Sequence, residues 1–217
     1  MRILVTAGPT CEDIDPVRYL TNRSSGKMGY AVAQEAARRG HEVILVSGPT
    51  ALSPPPGVEF VSVRSAAEML EACLGEFPRC QAAVLAAAVA DYRPASSSPV
   101  KIEKGDGPLV LRLERTEDIA RCLGRMKGER FVVGFALESG QGRGNAERKL
   151  AEKNFDAIVL NRPETFGSER IRAEILTRES GWGEPLDLAK AELASRILDL
   201  IEDSLATRQR GPNPQSP

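Results

Sequence analysis

Three groups of residues in this chain have the types and spacing needed to bind and transfer phosphate groups. The first group is the segment Asp15–Gly29, which reads DPVRYLTNRSSGKMG. Its Ser24-Ser25-Gly26 stretch opens a predicted helix, where unpaired backbone N–H groups and the positive end of the helix dipole favour an anion. Hydroxyl groups beside a glycine that permits close approach predict a phosphate site. The alternative is that these residues only cap the helix and help it to pack.

The second group follows an apolar run, Ala82–Ala88, that is typical of a central strand. Residues 86–94 read AAAVADYRP. The small side chains of Ala87 and Ala88 would let a ligand lie against the backbone, and Asp91 could accept hydrogen bonds from hydroxyl groups or hold a divalent cation. A solvated aspartate in a turn before a proline is the alternative interpretation of Asp91.

The third group consists of lysines and one aromatic residue. Lys101 lies on a predicted hairpin, from which an ammonium group could reach a phosphate and neutralise charge that develops during transfer. A lysine on an edge strand is usually a solvated charge that discourages aggregation, and the residues alone favour this alternative. Lys149 and Lys153 share one helix face at i and i+4, and predict either a clamp on a triphosphate or a solvated basic face. Phe135 would stack on a base or join the core.

The elements that must position these residues alternate between strand and helix. Apolar strand patterns begin at Arg2, Glu42, Val58, Ala82, Phe131, Asp156 and Ala173, the last of them predicted as an edge strand over 173–177. This alternation predicts a Rossmann-like, doubly wound parallel α/β sheet, in which ligands bind beyond the carboxyl ends of the strands. The first strand-to-helix connection takes roughly 18 residues instead of the usual 2–6, which indicates a functional loop.

One insertion and one tail complete the predicted domain organisation. Strand patterns at Val100–Lys104 and Leu109–Leu113 flank a Gly-Asp-Gly turn and predict a β-hairpin flap at about 95–114. We predict one nucleotide-binding domain over residues 1–206, closed by a helix over Asp187–Leu205. The polar, proline-containing segment 207–217 is predicted to be a disordered tail.

Composition excludes several classes of function. The formal net charge of −1 gives no electrostatic case for nucleic acid or an anionic membrane as a partner, and no stretch approaches the roughly 18 apolar residues of a membrane span. We therefore expect a cytoplasmic protein. Four cysteines without C-x-x-C spacing and a single histidine, His41, argue against a zinc site, a disulfide framework and a histidine-activated nucleophile. Neither the dinucleotide fingerprint nor the P-loop motif occurs.

Four motifs in fixed order together resemble phosphopantothenoylcysteine synthetase: residues 15–29, residues 86–94, VGFALE at 133–138 and KLAEK at 149–153. The resemblance covers residues 1 to about 203. It implies ligation of 4′-phosphopantothenate to L-cysteine, driven by CTP through an acyl-cytidylate, with Mg²⁺ as cofactor. In many bacteria a flavin-dependent decarboxylase precedes the synthetase in the same chain. Because this chain starts at the synthetase's first strand, we expect the decarboxylase half to be absent, with a separate decarboxylase as a partner.

The resemblance also implies roles for individual residues. Asn22 would bind the activated acyl group with Arg18 beside it, and Lys101 would support turnover of the acyl-cytidylate. Nucleotide phosphates would lie against Gly8, Ser24, Ser25, Gly26 and Gly29. The shared nucleotide and pantothenate site would be lined by Ala87, Ala88 and Asp91, with Asp91 as the candidate Mg²⁺ ligand, and the nucleotide pocket would be completed by Phe135, Lys149, Lys153 and Asn161. The family is dimeric, so we expect a homodimer to which the hairpin contributes.

The sequence differs from the family pattern at a few positions and allows alternative functions. Cys11, Glu103 and the pair Glu169-Arg170 replace the residues usual in the family, and could alter nucleotide choice or rate. One alternative enzyme uses ATP through an acyl phosphate or adenylate. A different class of alternative is a nucleotide-binding module that has lost catalysis. A nicotinamide-dependent reductase is disfavoured by the missing glycine fingerprint.

Overall fold

The computed structural model describes residues 1–138, 142–162 and 168–210. The strands are β1 (Arg2–Ala7), β2 (Cys11–Asp13), β3 (Tyr19–Thr21), β4 (Glu42–Ser47), β5 (Glu59–Ser62), β6 (Ala82–Leu85), β7 (Tyr92–Pro94), β8 (Leu113–Arg115), β9 (Phe131–Leu137), β10 (Ala157–Asn161), β11 (Arg170–Thr177), β12 (Gly181–Trp182) and β13 (Leu186–Ala189). The helices are α1 (Lys27–Arg38), α2 (Ala66–Glu76), α3 (Ile119–Arg125), α4 (Gly142–Glu152) and α5 (Lys190–Arg210), with a 3₁₀ turn at Phe77–Arg79.

The main sheet is built on parallel strands in the order β5-β4-β1-β6-β9-β10. The chain fills one half of the sheet outward from β1, and then returns to fill the other half from β6. This is the doubly wound order of the Rossmann fold, and it confirms the predicted α/β class. The strand order reverses between β1 and β6, so a crevice opens where the loops after these two strands diverge.

Beyond β10 the sheet becomes antiparallel. Strand β11 pairs with β10 on one side and with β12 and β13 on the other. The predicted edge position of 173–177 is therefore wrong. The two covering strands have only 2 and 4 residues, and segments this short carry too little periodicity to be recognised in a sequence.

Helices cover both faces of the sheet, and the residues of β1 show how. Ile3 and Val5 belong to the core that includes α1 and α5, whereas Leu4 belongs to the core that includes α2 and α3. All three side chains are fully buried. A strand that is buried on both faces needs a continuous apolar run, which is the pattern that the sequence shows here.

Two short antiparallel ribbons interrupt this regular scheme. Within the long first connection, β2 pairs with β3. After β6, β7 pairs with β8 at the base of the insertion. The predicted strands Val100–Lys104 and Leu109–Leu113 are wrong, because residues 95–112 contain no strand. Apolar side chains there, such as the 84% exposed Val110, have no core to pack against within the chain, so their alternation does not lead to a paired strand. Residues 95–112 are called the flap below.

The last helix is longer than predicted. Helix α5 continues through Arg210, so residues 207–210 are not part of a disordered tail. Arg208 anchors this end, because its Nη2 donates to Asp156 Oδ1 at 2.7 Å and its guanidinium lies over the Phe131 ring. The remainder of the predicted tail, 211–217, lies outside the described residues. No helix in the described parts of the chain combines the length and apolar character needed to cross a membrane.

Candidate functional site

A cleft of about 590 Å³ opens at the point where the strand order reverses. Its walls come from the loops after β1 and β6, the start of α1, the segment before α3, and the carboxyl ends of β9 and β10. The predicted site residues that line it are Asn22, Ser24, Ser25, Gly26, Ala87, Ala88, Asp91, Phe135, Lys149, Lys153 and Asn161. Motifs that lie far apart in the sequence therefore meet in one place.

Hydrogen bonds join the two loops that form the centre of the cleft. The backbone N–H of Ala88 donates to the Gly8 carbonyl at 2.9 Å, and the N–H of Ala90 donates to Thr10 Oγ1 at 2.9 Å. Asn22 Nδ2 donates to the Ala88 carbonyl at 2.9 Å. The Asn22 amide is thereby held beside the small residues that follow β6.

The start of α1 provides an anion-binding end to the cleft. Gly26 caps the helix in the left-handed region with φ 77°, and its N–H donates to Ser24 Oγ at 3.3 Å. A Cβ at Gly26 would lie 2.8 Å from Thr50 Cγ2, so only glycine fits this position. The first turn of α1 contains no acidic residue. The helix dipole at this end is thus available to a negatively charged ligand.

The two lysines of the KLAEK motif point toward carboxylates across the cleft wall. Lys149 Nζ lies 2.6 Å from Glu138 Oε1, and Lys153 Nζ lies 3.0 Å from Asp118 Oδ2. Burial by itself would raise the pKa of both carboxyls. The hydrogen bonds from Lys149 and Asn145 to Glu138 hold the pKa of Glu138 below its ordinary value. The Arg121 N–H and Lys153 do the same for the pKa of Asp118.

A second pair of lysines in the cleft was not predicted from the sequence. Lys27 forms an ion pair with Glu169, and Lys190 donates from Nζ to the Ser168 carbonyl. Lys190 is 8% exposed, and burial together with the charge of Lys27 lowers its pKa. A signal was present in the sequence, because a lysine in the first turn of a helix opposes the helix dipole. Glu169, one of the departures from the family pattern, is thus the partner of a cleft lysine.

The segment before α3 is also part of the cleft wall and was missed. Thr116, Glu117, Asp118 and Ile119 line the cleft, and Thr116 Oγ1 donates to the Ala90 carbonyl at 2.6 Å. The sequence pattern from Glu117 to Met126 predicts a helix and gives no sign of a binding role. Asp118 does cap α3, since its side chain accepts from the Arg121 N–H at 3.0 Å. The sequence alone cannot distinguish a capping residue that also faces a cleft from one that only caps a helix.

Two predicted phosphate-binding glycines lie outside the residues that line the cleft. A Cβ at Gly29 would lie 2.6 Å from Ala7 Cβ, so this glycine lets α1 pack directly against β1. Gly8 has φ 70°, and a Cβ there would lie 2.8 Å from the Gly48 carbonyl oxygen. Packing and backbone conformation account for both residues. A contact between either residue and a phosphate stays a prediction.

Arg18 and Lys101 also lie outside the cleft lining. The resemblance implies a place for Arg18 beside Asn22, but its hydrogen bonds go to Asp15 and Ile102. Its Nη2 lies 2.5 Å from Asp15 Oδ2 and donates to the Ile102 carbonyl at 2.9 Å. Lys101 lies next to Ile102 on the exposed flap. The structure therefore brings Arg18 next to the part of the flap that carries Lys101, and neither residue lines the cleft.

The described residues contain no group of three or more His, Cys, Asp or Glu side chains that could hold a metal ion. The cysteines of the described chain are all unpaired. Asp91 is exposed and lines the cleft, as do the carboxylates of Glu117 and Asp118. Mg²⁺ is commonly held by one or two carboxylates together with substrate phosphates, so Asp91 fits such a site as a partial ligand.

Residues 1–205 match the protein family described as the DNA/pantothenate metabolism flavoprotein C-terminal domain. The chain belongs to this family. It is 42% identical over 204 residues to the coenzyme A biosynthesis bifunctional protein CoaBC of Bacillus subtilis (strain 168), covering 92% of this chain and 50% of that protein. It is 45% identical over 206 residues to a protein named cysteine/cysteine sulfinic acid decarboxylase from an unknown prokaryotic organism, covering 92% and 57%. The chain thus spans about half the length of these curated relatives.

Solved structures of this family agree with the fold. The crystal structure of the C-terminal domain of CoaBC matches with a TM-score of 0.81 and 44% identity, covering 95% of this chain and 96% of that one. A Cab2 mutant in complex with phosphopantothenate-cysteine matches with a TM-score of 0.79 over 96% of this chain and 88% of that one. Its identity is 16%, so it supports the fold alone. The matches confirm the resemblance that the sequence motifs indicated.

Proposed function

We propose that this chain is a phosphopantothenate–cysteine ligase of coenzyme A biosynthesis that activates 4′-phosphopantothenate with CTP. The observation that carries the proposal is the convergence of the start of α1, Asn22, Lys149 and Lys153 on one cleft. Two anionic reactants need a site of this kind, with positive charge at several points of its wall and a volume sufficient for both. Family membership and the CoaBC relatives support the same assignment.

The reaction has two steps that need no protein nucleophile. A carboxylate oxygen of 4′-phosphopantothenate attacks the α-phosphorus of CTP, the bond to the bridging oxygen breaks, and pyrophosphate leaves. The amine of L-cysteine then attacks the acyl carbon, CMP leaves with the bonding electron pair, and the nitrogen loses a proton. The chain therefore has to align the reactants and stabilise the negative charge that builds up on the leaving groups.

The residues divide between these two tasks. The N–H groups at the start of α1 and the ammonium groups of Lys149 and Lys153 would hold phosphate oxygens. Asn22, held against the Ala88 carbonyl, would orient the activated acyl group. Phe135 lies at the carboxyl end of β9, where its partly buried ring could stack on the cytosine base. Asn161 ends the neighbouring strand β10, two residues beyond the register partner of Phe135.

Mg²⁺ is part of the proposal as a cofactor that arrives with the triphosphate. When bound, it would supply positive charge to the leaving pyrophosphate, and Asp91 is the residue that would help to hold it. We also propose that the chain forms a homodimer through the flap and acts in the cytoplasm. A decarboxylase that consumes the product is its expected partner.

The test is an assay of the purified chain with 4′-phosphopantothenate, L-cysteine and either CTP or ATP. We expect pyrophosphate and CMP to form with CTP only when the carboxylate substrate is present. An equal rate with ATP would overturn the CTP assignment and favour the ATP-dependent alternative. Tight nucleotide binding without pyrophosphate release would favour the non-catalytic module. Carbon dioxide release from cysteine or cysteine sulfinic acid would instead favour the activity in the name of the second relative.

A further inference from the structure

The turn between β2 and β3 is hydrogen-bonded to the flap through the buried carboxylate of Asp15. Asp15 is 2% exposed. Its Oδ1 accepts from the backbone N–H groups of Val17 at 2.9 Å and Arg18 at 2.8 Å. Its Oδ2 accepts from Arg18 Nε at 2.9 Å and from the N–H of Ile102 at 3.1 Å. Because Arg18 Nη2 also donates to the Ile102 carbonyl, both backbone groups of Ile102 are held.

A second attachment lies a few residues earlier on the flap. The Ile14 carbonyl accepts from the N–H of Ser98 at 2.9 Å and from Ser97 Oγ at 3.4 Å. Lys101 lies between the two attachments and directly before Ile102. The backbone of Lys101 is therefore fixed on both sides, although its side chain is exposed.

The charge state of Asp15 keeps this arrangement intact. A buried carboxylate is stable only when it is paired and hydrogen-bonded. The side-chain hydrogen bond from Arg18 holds the pKa of Asp15 below its ordinary value, against the effect of burial and with help from the N–H groups of Val17, Ile102 and Arg18. The carboxylate is ionised at neutral pH, where its charge-assisted hydrogen bonds are strongest.

We propose that Asp15 is a positioning residue for the ligation, because with Arg18 it fixes the flap backbone that carries Lys101. The same ribbon leads through β3 directly into Asn22. Asp15 therefore sets the place of Lys101 relative to the strand that delivers Asn22. This inference rests on the proposed function and on the role that the family resemblance implies for Lys101, which is to support turnover of the acyl-cytidylate. Asp15 itself is not among the residues that line the cleft.

The first test measures the flap without reference to activity. Trypsin cleaves after lysine once a segment opens locally, so the Lys101–Ile102 bond reports on the attachment. We expect Asp15→Asn to raise the rate of cleavage at this bond about tenfold. The matched control is Asp13→Asn, which removes an arginine-paired carboxylate from the same ribbon at an exposed position. Equal cleavage rates in the wild type and Asp15→Asn would overturn the proposal, whatever the enzyme's activity.

The second test asks whether Asp15 acts through Lys101. We expect Asp15→Asn to lower kcat at least about tenfold while the KM for CTP stays within about twofold. In a Lys101→Ala background, the same substitution should change kcat less than about twofold, because the group being positioned is gone. Multiplicative losses in the double variant would show that Asp15 acts independently of Lys101, and would overturn the inference.

A second variant covers the case in which Asp15→Asn does not fold, as judged by its thermal unfolding. Arg18→Lys keeps the charge next to Asp15 but cannot also reach the Ile102 carbonyl in the planar geometry of a guanidinium. We expect faster cleavage after Lys101 in this variant as well, and an unchanged rate would count against the proposal. If the wild type shows no ligase activity, the proposed function fails, while the proteolysis result still decides whether the attachment exists.

Discussion

Lys190 differs from the other lysines of the cleft in its partner. Lys27, Lys149 and Lys153 each face a carboxylate, whereas the Lys190 ammonium donates to the Ser168 backbone carbonyl. Glu169 acts on Lys190 through its charge, but no carboxylate of the described residues accepts a hydrogen bond from this buried ammonium group, and a bound anion would supply one. The residue is therefore placed to recognise a phosphate group or carboxylate in the cleft.

We predict that Lys190→Met raises the KM for CTP about tenfold, because a loss of one charge-assisted hydrogen bond of about 1.5 kcal/mol has this effect. Steady-state pyrophosphate release would measure it. Arg196→Met is the control, since it removes an exposed cation from the same helix. An unchanged KM in Lys190→Met would show that this lysine has a purely structural role.

At the scale of single residues, the sequence predicted those parts of the cleft that lie in contiguous motifs. Asn22 and Ala88 meet in the cleft because the long connection after β1 and the loop after β6 both leave the carboxyl ends of parallel strands, which lie at one edge of the sheet. The contacts of Arg18 with the buried Asp15 and with the Ile102 carbonyl were not predicted, because spacing in a sequence cannot reveal them. Lys190 was missed because it reaches the cleft from the far end of the chain.

Helix α1 connects the cleft to the core of the sheet. Gly29 allows α1 to lie against β1, since a methyl group there would lie 2.9 Å from the Thr6 carbonyl oxygen and closer still to Ala7 Cβ. We predict that Gly29→Ala lowers the free energy of unfolding by about 1–3 kcal/mol, the usual cost of overpacking. Urea denaturation would measure the change.

The control for this substitution is Gly75→Ala in α2, where a Cβ would meet nothing within 4 Å. Alanine in an open helical position should raise the free energy of unfolding by about 0.5–1 kcal/mol. A loss of the same size in both variants would mean that close packing is not the reason for Gly29.

Ion pairs join the carboxyl end of α1 to α5. Arg39 Nη1 lies 2.7 Å from Asp199 Oδ1 and 2.9 Å from Glu202 Oε2, and Glu35 accepts from both Arg38 and Arg39. The hydrogen bond from Arg38, opposed by burial and aided by Arg39, lowers the pKa of Glu35 to about 2. Because the pKa is lower in the folded state, Glu35 stabilises the fold above its ordinary pKa of 4.5, and this stabilisation is lost as the pH falls toward 2.

We predict that the urea midpoint of the wild type falls between pH 6 and pH 3 more steeply than that of Glu35→Gln. The glutamine cannot gain a proton on unfolding, so this part of the pH dependence should vanish. Identical slopes would contradict the role of this ion-pair cluster. Urea titrations at a series of pH values, with both proteins in the same buffers, would provide the measurement.

At the scale of elements, length decided what the sequence could predict. The longer parallel strands such as β1 and β4 were recognised from apolar runs of about six residues. The three-residue ribbons β2–β3 and β7–β8 were not placed, since a period of two needs more residues to be visible. In the flap the sequence predicted strands that the structure does not contain. Its residues alternate as strand residues do, but they form no strand within a single chain.

The whole molecule exposes its apolar side chains mainly on the flap and the ribbons beside it. Val100, Leu109 and Val110 are all exposed there. Clustered apolar residues on a surface are typical of an interface with another protein. In the proposed function that other protein is a second copy of the chain. A homodimer would bury these residues and give the alternating flap sequence a partner to pair with.

We predict that the wild type sediments as a dimer at micromolar concentration, and that Val110→Asp weakens the dimer at least about tenfold, because an aspartate would be buried without a partner. Analytical ultracentrifugation over a concentration series would measure the dissociation constants. Met126→Asp, which changes an exposed apolar residue at the end of α3, is the control. A wild type that sediments as a monomer would contradict the proposed homodimer.

The carboxylates that face the cleft lysines have a consequence for competition by common salts. Glu138, Asp118 and Glu169 already occupy the ammonium groups of three lysines. Chloride or sulfate from the medium must displace an internal carboxylate while offering little charge in return. A polyphosphate chain can displace several at once and carries enough charge to replace them all. At these three lysines, we therefore expect the ligand-free cleft to bind a long polyanion in preference to small inorganic ions.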